Sequence, residues 1–233
     1  MADTLCFLPC CKKKTSIPAW DVPDRSLNQS VIPNTWRQLE AGRETMSYCV
    51  DKSIPQLPAL QLYDGWFYRC APDFRQRIRD AVLSDQVCLY VVSAGYGIVH
   101  ALEAIHPYEA KMKGETAASW SDTGLVSVIE ELINNLKPKR VFGFFAGSPH
   151  WSKGNASYRY FFTHGAMQAA TSTPCIETAA CFYRSQGQGV NAIMGALGRT
   201  LLCGIETGFS EPFVNSCRSG REDGNVTITV HTW

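Results

Sequence analysis

The sequence feature that most constrains the fold is the unbroken β-prone run Val87–Val92. A strand with one face in water alternates polar and apolar residues, whereas a continuous apolar run is typical of a strand covered on both faces in a parallel sheet. Leu5–Cys10 and Arg140–Ala146 have the same character. Ile176–Tyr183 is predicted to be a further strand, and the alternating segment Val226–His231 a closing one.

Helical patterns fall between these strands. Apolar spacing predicts helices over Pro72–Ser84, Gly124–Leu136, Ala156–Ala169 and Val190–Leu202, and a further helix near Thr35–Tyr48. Ser121 or Asp122 is the predicted N-cap of the second of these helices. Strands that alternate with helices at these lengths predict an α/β fold, an open, largely parallel mixed sheet flanked by helices.

The chain is predicted to form one domain over residues 1–233. Residues 17–58 contain five of the twelve prolines and too few apolar positions for a core of their own. We therefore expect this segment to be an irregular excursion from the main domain.

Composition narrows the function classes. Hydrophobic residues make up 45% of the chain and charged residues 18%, which indicates a folded protein with a sizeable core. The net charge is +1, so contacts with nucleic acid are expected to be local and not spread over a basic surface. No apolar run reaches the ~18–20 residues of a membrane span, and the N-terminal order of charges is not that of a secretory signal. We expect a cytoplasmic protein that does not bind membranes.

The ten cysteines are interpreted as reduced thiols, mostly buried as small hydrophobic residues. Neither the Cys6, Cys10, Cys11 cluster nor the Cys175, Cys181 pair has a Cys-x-x-Cys spacing. A metal or iron–sulfur site assembled from distant cysteines remains an alternative. The prediction is of no metal and no cofactor.

Three loops that follow predicted strands carry most of the candidate functional groups. In open α/β sheets, ligands bind beyond the carboxyl ends of the strands. The first loop, Cys10–Ser16, contains Lys12, Lys13 and Lys14, and we call it the lysine loop. These ammonium groups can hold an anion, although a solvated basic turn is the alternative.

The second loop, Ser93–Tyr108, contains Gly95 and Gly97 on either side of Tyr96. These glycines allow the backbone to approach a ligand closely, or they serve only a tight turn. The third loop, Gly147–Ser157, holds Ser148, His150, Trp151 and Lys153, a high density of donors and aromatic groups for a plain connection. His150 is either a base or an ordinary surface histidine.

Three stretches in order resemble one family. They are Cys10–Lys14, then Pro58-Ala59-Leu60-Gln61-Leu62-Tyr63-Asp64-Gly65-Trp66-Phe67, and then Ser93-Ala94-Gly95-Tyr96-Gly97-Ile98 with Ile105-His106-Pro107-Tyr108. This order is similar to the YaaA-like (peroxide-stress) family and related proteins of the DUF6884 type, over roughly residues 5–115. The residues that match the family pattern are Lys12, Lys14, Tyr63, Ser93, Tyr96, Gly97, Pro107 and Tyr108.

The resemblance implies a mixed α/β fold and an association with DNA or nucleobase chemistry. It does not imply an established reaction. Separately, the stretch Gly147–His150 between a buried strand and an aromatic helix resembles the Ser-Pro loop of uracil-DNA glycosylases.

These observations lead to a hypothesis of a DNA N-glycosylase that excises a modified or damaged base. Such an enzyme extrudes the base, holds it and stabilises a cationic sugar with a carboxylate. The candidate catalytic acids are Glu109, then Asp64, then Glu103. The candidate contacts to DNA are Lys12, Lys13, Lys14, Tyr63, Ser93, Tyr96, Gly97, Tyr108, Ser148, His150, Trp151 and Lys153.

Two alternatives stay open at this point. The first is a non-catalytic DNA-binding stress-response protein of the YaaA type, with Arg75–Arg79 and Lys137–Arg140 as its main contacts. The second is an enzyme that acts on a free nucleotide or nucleobase, with the lysine loop on a phosphate. The sequence does not indicate the oligomeric state.

Overall fold

The computed structural model describes residues 2–15, 18–147 and 158–233. Its strands are β1 (Thr4–Pro9), β2 (Leu57–Pro58), β3 (Cys88–Ser93), β4 (Gly97–His100), β5 (Ala104–Ile105), β6 (Arg140–Phe144), β7 (Thr178–Gln186), β8 (Arg221–Asp223) and β9 (Val226–Thr232). Its α-helices are α1 (Trp36–Thr45), α2 (Ala59–Leu62), α3 (Phe74–Leu83), α4 (Gly114–Asp122), α5 (Leu125–Leu136), α6 (Tyr158–Ser172), α7 (Val190–Glu206) and α8 (Glu211–Arg218). A short 3₁₀ helix, Met46–Cys49, follows α1.

The main sheet has seven strands in the order β4-β3-β1-β6-β7-β9-β8. The four central strands, β3, β1, β6 and β7, are parallel to one another. The outer strands β4, β9 and β8 are antiparallel. The predicted α/β fold, with a mixed sheet that is parallel at its centre and flanked by helices in a single compact domain, is confirmed.

The connections between parallel strands move across the sheet in opposite directions on the two sides of β1. The crossover from β1 to β3 runs one way along the sheet, and those from β3 to β6 and from β6 to β7 run the other way. Right-handed crossovers therefore place α3 on one face and α5 and α6 on the opposite face. The contacts agree, since α5 packs on α6 while α3 packs on α7. All six residues of β1 are buried between these layers, and the crevice expected at such a switch point lies at its carboxyl end.

The excursion after β1 is tied to the main domain. Residues 18–35 contain no helix or strand, and the predicted helix near Thr35–Tyr48 is present as α1 with its 3₁₀ extension. The Glu131 carboxylate on α5 accepts hydrogen bonds from the Thr35 backbone N–H at 2.7 Å and from its hydroxyl at 2.6 Å. Leu39 of α1 is buried in the common core. The segment thus packs against the layer that contains α5 and has no core of its own.

The predicted cap of α5 was wrong. Ser121 and Asp122 lie in the last turn of α4, a helix that was not predicted. The residue before α5 is Gly124, which adopts a left-handed conformation with φ of 79° and provides no side-chain cap. The structure therefore has two helices, separated by Thr123–Gly124, where a polar stretch followed by a single helix was predicted.

The close approach of α6 to β6 gives a test of the packing. A Cβ atom at Gly143 of β6 would overlap the ring of Phe162. We expect Gly143→Ala to lower the free energy of unfolding by about 1–3 kcal/mol, because an added methyl group in a filled core forces neighbours to move. Urea unfolding followed by circular dichroism measures this change.

The control is Gly195→Ala in α7, where the nearest group to an added Cβ is the end of the flexible Arg199 side chain, 3.3 Å away. Helix propensity there favours alanine by up to ~1 kcal/mol. Equal losses of stability in both variants would contradict the packing described for Gly143.

Candidate active site at the carboxyl end of the central strands

A cavity of about 520 Å³ lies beyond the carboxyl ends of β1 and β3. It is lined by Lys12, Lys13, Lys14, Cys49, Asp51, Ile54, Pro107, Tyr108 and Glu109. Three separate parts of the chain therefore meet here, namely the lysine loop, the turn after the 3₁₀ helix and the end of the second predicted loop. Its size falls in the ~300–1,000 Å³ range that is usual for small-molecule sites.

A shallower depression of about 340 Å³ continues from the cavity and shares Lys12 and Glu109 with it. Its other lining residues are Ala110, Lys111, Lys113 and Thr116. We call this depression the lysine trough. The cavity and the trough together form a surface that carries five lysines and two carboxylates, Asp51 and Glu109, of which only Glu109 lines both.

The inner wall of the cavity is a buried network of hydroxyl groups. The hydroxyls of Tyr63 and Tyr108 are hydrogen-bonded at 3.0 Å, and Ser93 Oγ donates to the Tyr108 hydroxyl at 2.9 Å. Ser93 Oγ also accepts the Tyr96 backbone N–H at 3.2 Å. Burial raises the pKa of both Tyr63 and Tyr108 well above the usual range, so these phenols are neutral.

Glycine is required at position 95 by the position of Tyr108. A Cβ atom at residue 95 would lie 2.6 Å from two carbons of the Tyr108 ring. The backbone of the Gly95 turn therefore lies directly on this ring. Gly97, which has φ of 71°, allows the tight turn into β4. Gly97 serves the tight turn and is also closely packed, because a Cβ atom there would lie 2.6 Å from the Trp120 ring.

The lysine loop is attached to the segment around Tyr63 by backbone pairing. The Asp64 N–H donates to the Lys13 carbonyl, and the Thr15 N–H donates to the Leu62 carbonyl, both at 2.9 Å. Lys13 Nζ also lies 2.9 Å from the Asp64 carboxylate. These contacts hold the three lysines at the entrance of the cavity.

Lys14 differs from its two neighbours because its Nζ is buried. The rest of the residue lines the cavity, but Nζ lies 4.1 Å from the centre of the Tyr108 ring. Among the described residues it has no hydrogen-bond acceptor. Burial lowers the pKa of Lys14, and this effect is opposed by the nearby thiols of Cys10, Cys11 and Cys49 and by Glu109.

The three candidate acids have different environments. Glu109 is exposed and lines both the cavity and the trough, and its backbone N–H donates to the Cys49 carbonyl at 2.9 Å. Asp64 is paired with Lys13, with Arg75 at 3.6 Å and with Arg69 at 3.8 Å. It is not among the residues that line the cavity.

Glu103 is buried away from the cavity. Its carboxylate lies 2.9 Å from Arg43 and accepts the backbone N–H groups of Leu27 and His100. Burial raises the pKa of Glu103, and Arg43 opposes this shift. In this environment Glu103 joins the excursion and α1 to the loop after β4, and only Glu109 of the three predicted acids faces the cavity.

Some of the other predicted contacts lie in or behind the wall of the cavity, and the rest lie outside the described residues. Tyr96 is half-buried, and its hydroxyl donates to the His106 carbonyl at 3.2 Å. Tyr63 and Ser93 are buried in the hydroxyl network. Ser148, His150, Trp151 and Lys153 lie outside the described residues.

Sequence reasoning missed the contribution of residues 49–54. Cys49, Asp51 and Ile54 come from the excursion, and no local motif marks them. They reach the cavity because Val50 pairs with Tyr108 and the Asp51 N–H donates to the Pro107 carbonyl at 2.8 Å. Only this long-range pairing could have identified them.

All ten cysteines are free thiols, of which Cys6, Cys10, Cys181 and Cys217 are fully buried. Within residues 2–15, 18–147 and 158–233, no group of three or more His, Cys, Asp or Glu side chains is arranged to hold a metal ion. None of the helices in these ranges is long and apolar enough to cross a membrane. Comparison of the sequence with protein-family models and with curated proteins gives no match.

The buried ammonium group of Lys14 leads to a prediction about stability. Lys14→Met keeps an unbranched side chain that is one atom shorter and removes a buried polar group that lacks a hydrogen bond. Burial of such a group costs ~1–3 kcal/mol, and its contact with an aromatic ring recovers only ~0.5–1 kcal/mol. We expect the variant to be more stable than the wild type by about 1 kcal/mol at pH 7 in urea unfolding.

The difference between the two proteins should depend on pH. The folded-state pKa of Lys14 lies below the ordinary lysine value of 10.5, so between these values the unfolded chain binds the extra proton. The wild type therefore gains stability relative to Lys14→Met as the pH rises through this window. A difference that stays constant up to pH 10.5 would contradict the burial of Nζ.

Proposed function

We propose that the protein is a DNA N-glycosylase, in which the cavity receives one extruded nucleotide and Glu109 is the catalytic carboxylate. The observation that carries this proposal is that Glu109 and three consecutive lysines line the same cavity. A nucleotide needs cationic donors for its phosphate and, for cleavage of the bond to its base, an acid near the sugar. These two requirements are met within one open cavity.

The charge distribution supports a local contact with DNA. The net charge of the protein is only +1, but Lys12, Lys111 and Lys113 line the trough beside the cavity. Phosphate contacts from a few ammonium groups position a nucleic acid without a basic surface. The lysine trough gives the phosphate next to the extruded nucleotide a place to bind.

The surroundings of the acids favour Glu109 for the chemical step. Asp64 has three cationic partners and Glu103 is held by Arg43 and two backbone N–H groups, whereas Glu109 is exposed to the cavity. In the proposed reaction, water adds to C1′ of the sugar, the bond from C1′ to the base breaks and the base leaves with the bonding electrons. The Glu109 carboxylate accepts a proton from the water and stabilises the positive charge that develops on the sugar.

The aromatic part of the site is smaller than the sequence suggested. Tyr63 and Tyr108 are buried, and Lys14 lies over one face of Tyr108. Trp66, which is 51% exposed, is the better stacking surface. Trp66 lies outside the cavity lining and is linked to it through Arg69, which lies 5.2 Å from the Trp66 ring. Arg69 also pairs with Asp64, the partner of the cavity residue Lys13. Stacking on such a ring contributes ~1–3 kcal/mol per base.

Removal of the Glu109 carboxylate tests the proposal. Purified protein is incubated with a panel of genomic DNAs, including phage DNA that carries modified bases, and released bases are identified by mass spectrometry. We expect Glu109→Gln to slow base release by roughly 100-fold or more, because general acid–base catalysis of this kind contributes ~10²–10⁴-fold. Its affinity for DNA should remain close to that of the wild type.

Asp64→Asn and Glu103→Gln serve as matched controls, since each also removes one negative charge. We expect both to lower stability, because they leave Lys13, Arg69 and Arg75 or Arg43 without a carboxylate partner, while base release per folded molecule is retained. Absence of released bases and abasic sites on every DNA would refute the glycosylase and favour a non-catalytic DNA-binding protein. Turnover of free nucleotides without DNA would instead identify a small-molecule enzyme.

A further inference from the structure

Lys14 has a position that phosphate binding does not explain. A lysine that binds phosphate holds its ammonium group in water or next to an acid, as Lys13 does with Asp64 at 2.9 Å. The Lys14 Nζ is instead turned inward over the Tyr108 ring, with no acceptor among the described residues. Lys12 and Lys13 are exposed on the same loop, so the difference is specific to position 14.

The burial of Nζ shifts the protonation equilibrium of Lys14 toward the uncharged amine. The ring of Tyr108 lies beneath it, and Cys10, Cys11 and Cys49 are nearby thiols. Burial lowers the pKa of Lys14, which increases the fraction of the nucleophilic, neutral form. Burial in apolar surroundings is one of the established ways to activate a lysine for addition to a carbonyl carbon.

The amine can reach the cavity. The remainder of Lys14 already lines it, so rotation about the terminal bonds of the side chain carries Nζ from the Tyr108 ring into the open space. Side-chain rotations of this kind take picoseconds to nanoseconds when the side chain has room. Glu109 lines the same cavity and contributes to the electrostatic environment of Lys14, so a proton acceptor and donor accompanies the amine.

We infer that Lys14 is a nucleophile that forms a Schiff base with the sugar left after base excision, which gives the protein a second activity as an abasic-site lyase. The inference rests on the proposed function, because the ring-opened abasic sugar, an aldehyde at C1′, is the product of that reaction. Both steps take place in the cavity that contains Glu109.

The proposed step is balanced without an oxidant or reductant. The neutral Lys14 amine adds to the C1′ aldehyde, and the resulting carbinolamine takes a proton from Glu109 and loses water to give an iminium ion. The Glu109 carboxylate then removes a proton from C2′, which gives an enamine. The nitrogen lone pair of the enamine re-forms the C1′ iminium, the former C1′–C2′ double-bond pair becomes the C2′–C3′ double bond, and the C3′–O bond breaks so that the phosphate oxygen leaves with the bonding electrons. The downstream strand leaves with a 5′-phosphate, and water hydrolyses the imine to an unsaturated aldehyde and the free amine.

The experiment uses the full chain and an oligonucleotide in which the abasic site has been made beforehand. Sodium cyanoborohydride reduces a Schiff base to a stable amine, so a covalent protein–DNA complex appears on a denaturing gel. We expect this complex with the wild-type protein, and peptide mapping should place the attached sugar on Lys14. Without the reductant, the strand should be cleaved to a product that carries a 5′-phosphate.

Lys14→Met and Lys14→Arg should lower the yield of the covalent complex by at least 100-fold. Lys14→Met is expected to be more stable than the wild type, and a thermal unfolding measurement checks that the loss does not come from misfolding. Lys12→Gln removes a charge two positions away and should bind DNA more weakly, but it should still form the complex at saturating DNA.

The two proposals fail in different ways. Because the abasic site is made in advance, trapping does not depend on base excision by this protein. Base release without trapping, trapping that survives in Lys14→Met, or attachment at another amine would overturn the role of Lys14 alone. Trapping at Lys14 without base release from any DNA would refute the glycosylase and leave the lyase.

Discussion

The parallel pairing of β1 with a strand on each side determines where the candidate site lies. Leu5 of β1 pairs with Cys88 of β3 on one side and with Val141 of β6 on the other. Because these strands run in the same direction, the loops that follow them leave the sheet at the same edge. Helix α3, from the connection after β1, packs on one face of the sheet. Helices α5 and α6, from the connections after β3 and β6, pack on the other, so a crevice is expected at the end of β1. The lysine loop occupies its entrance.

A second constraint is the burial of polar groups beneath the cavity. Ser93, at the end of β3, is completely buried and has hydrogen bonds with Tyr63, Tyr108 and the backbone of Tyr96. A fully satisfied network of this kind makes the wall rigid, because a change in any member leaves a buried group without a partner. Lys14 lies on this rigid wall, and the wall excludes water from its ammonium group. The unusual state of the lysine is thus a consequence of the tyrosine network.

The three candidate acids of this region fall into two groups, those that form ion pairs and the one that lines the cavity. Asp64 pairs with the distant Lys13 and with two arginines close to it in the chain, and Glu103 pairs with the distant Arg43. Glu109 lies at the cavity and has a backbone contact to Cys49. The sequence alone does not distinguish the environments of these three acids, but the folded chain makes them different. In the proposed function, the acid exposed to the cavity acts with the buried lysine, and the paired acids keep the loops in place.

The sequence by itself determined the central strands of the sheet and two of the loops that line the cavity. The continuous apolar runs of β1, β3 and β6 predicted buried parallel strands, and the loops after β1 and β3 were correctly expected to lie at one edge. These features depend on local periodicity, which a linear sequence contains. The short strand β4 and the helix α4 were not predicted, because β4 is defined by its pairing with β3 and α4 by the burial of Ala117 and Trp120.

Only the tertiary structure decided which groups face the cavity. The pairing of Val50 with Tyr108 brings Cys49 and Asp51 to the site from about sixty residues away along the chain, and no pattern near Cys49 indicates it. The identical side chains of Lys12, Lys13 and Lys14 acquire different environments for the same reason. Spacing predicts that three ammonium groups are close together, but the Tyr108 ring beneath Lys14 and the carboxylate beside Lys13 are long-range contacts. Burial and charge pairing, which set the chemistry of each lysine, are properties of the folded chain.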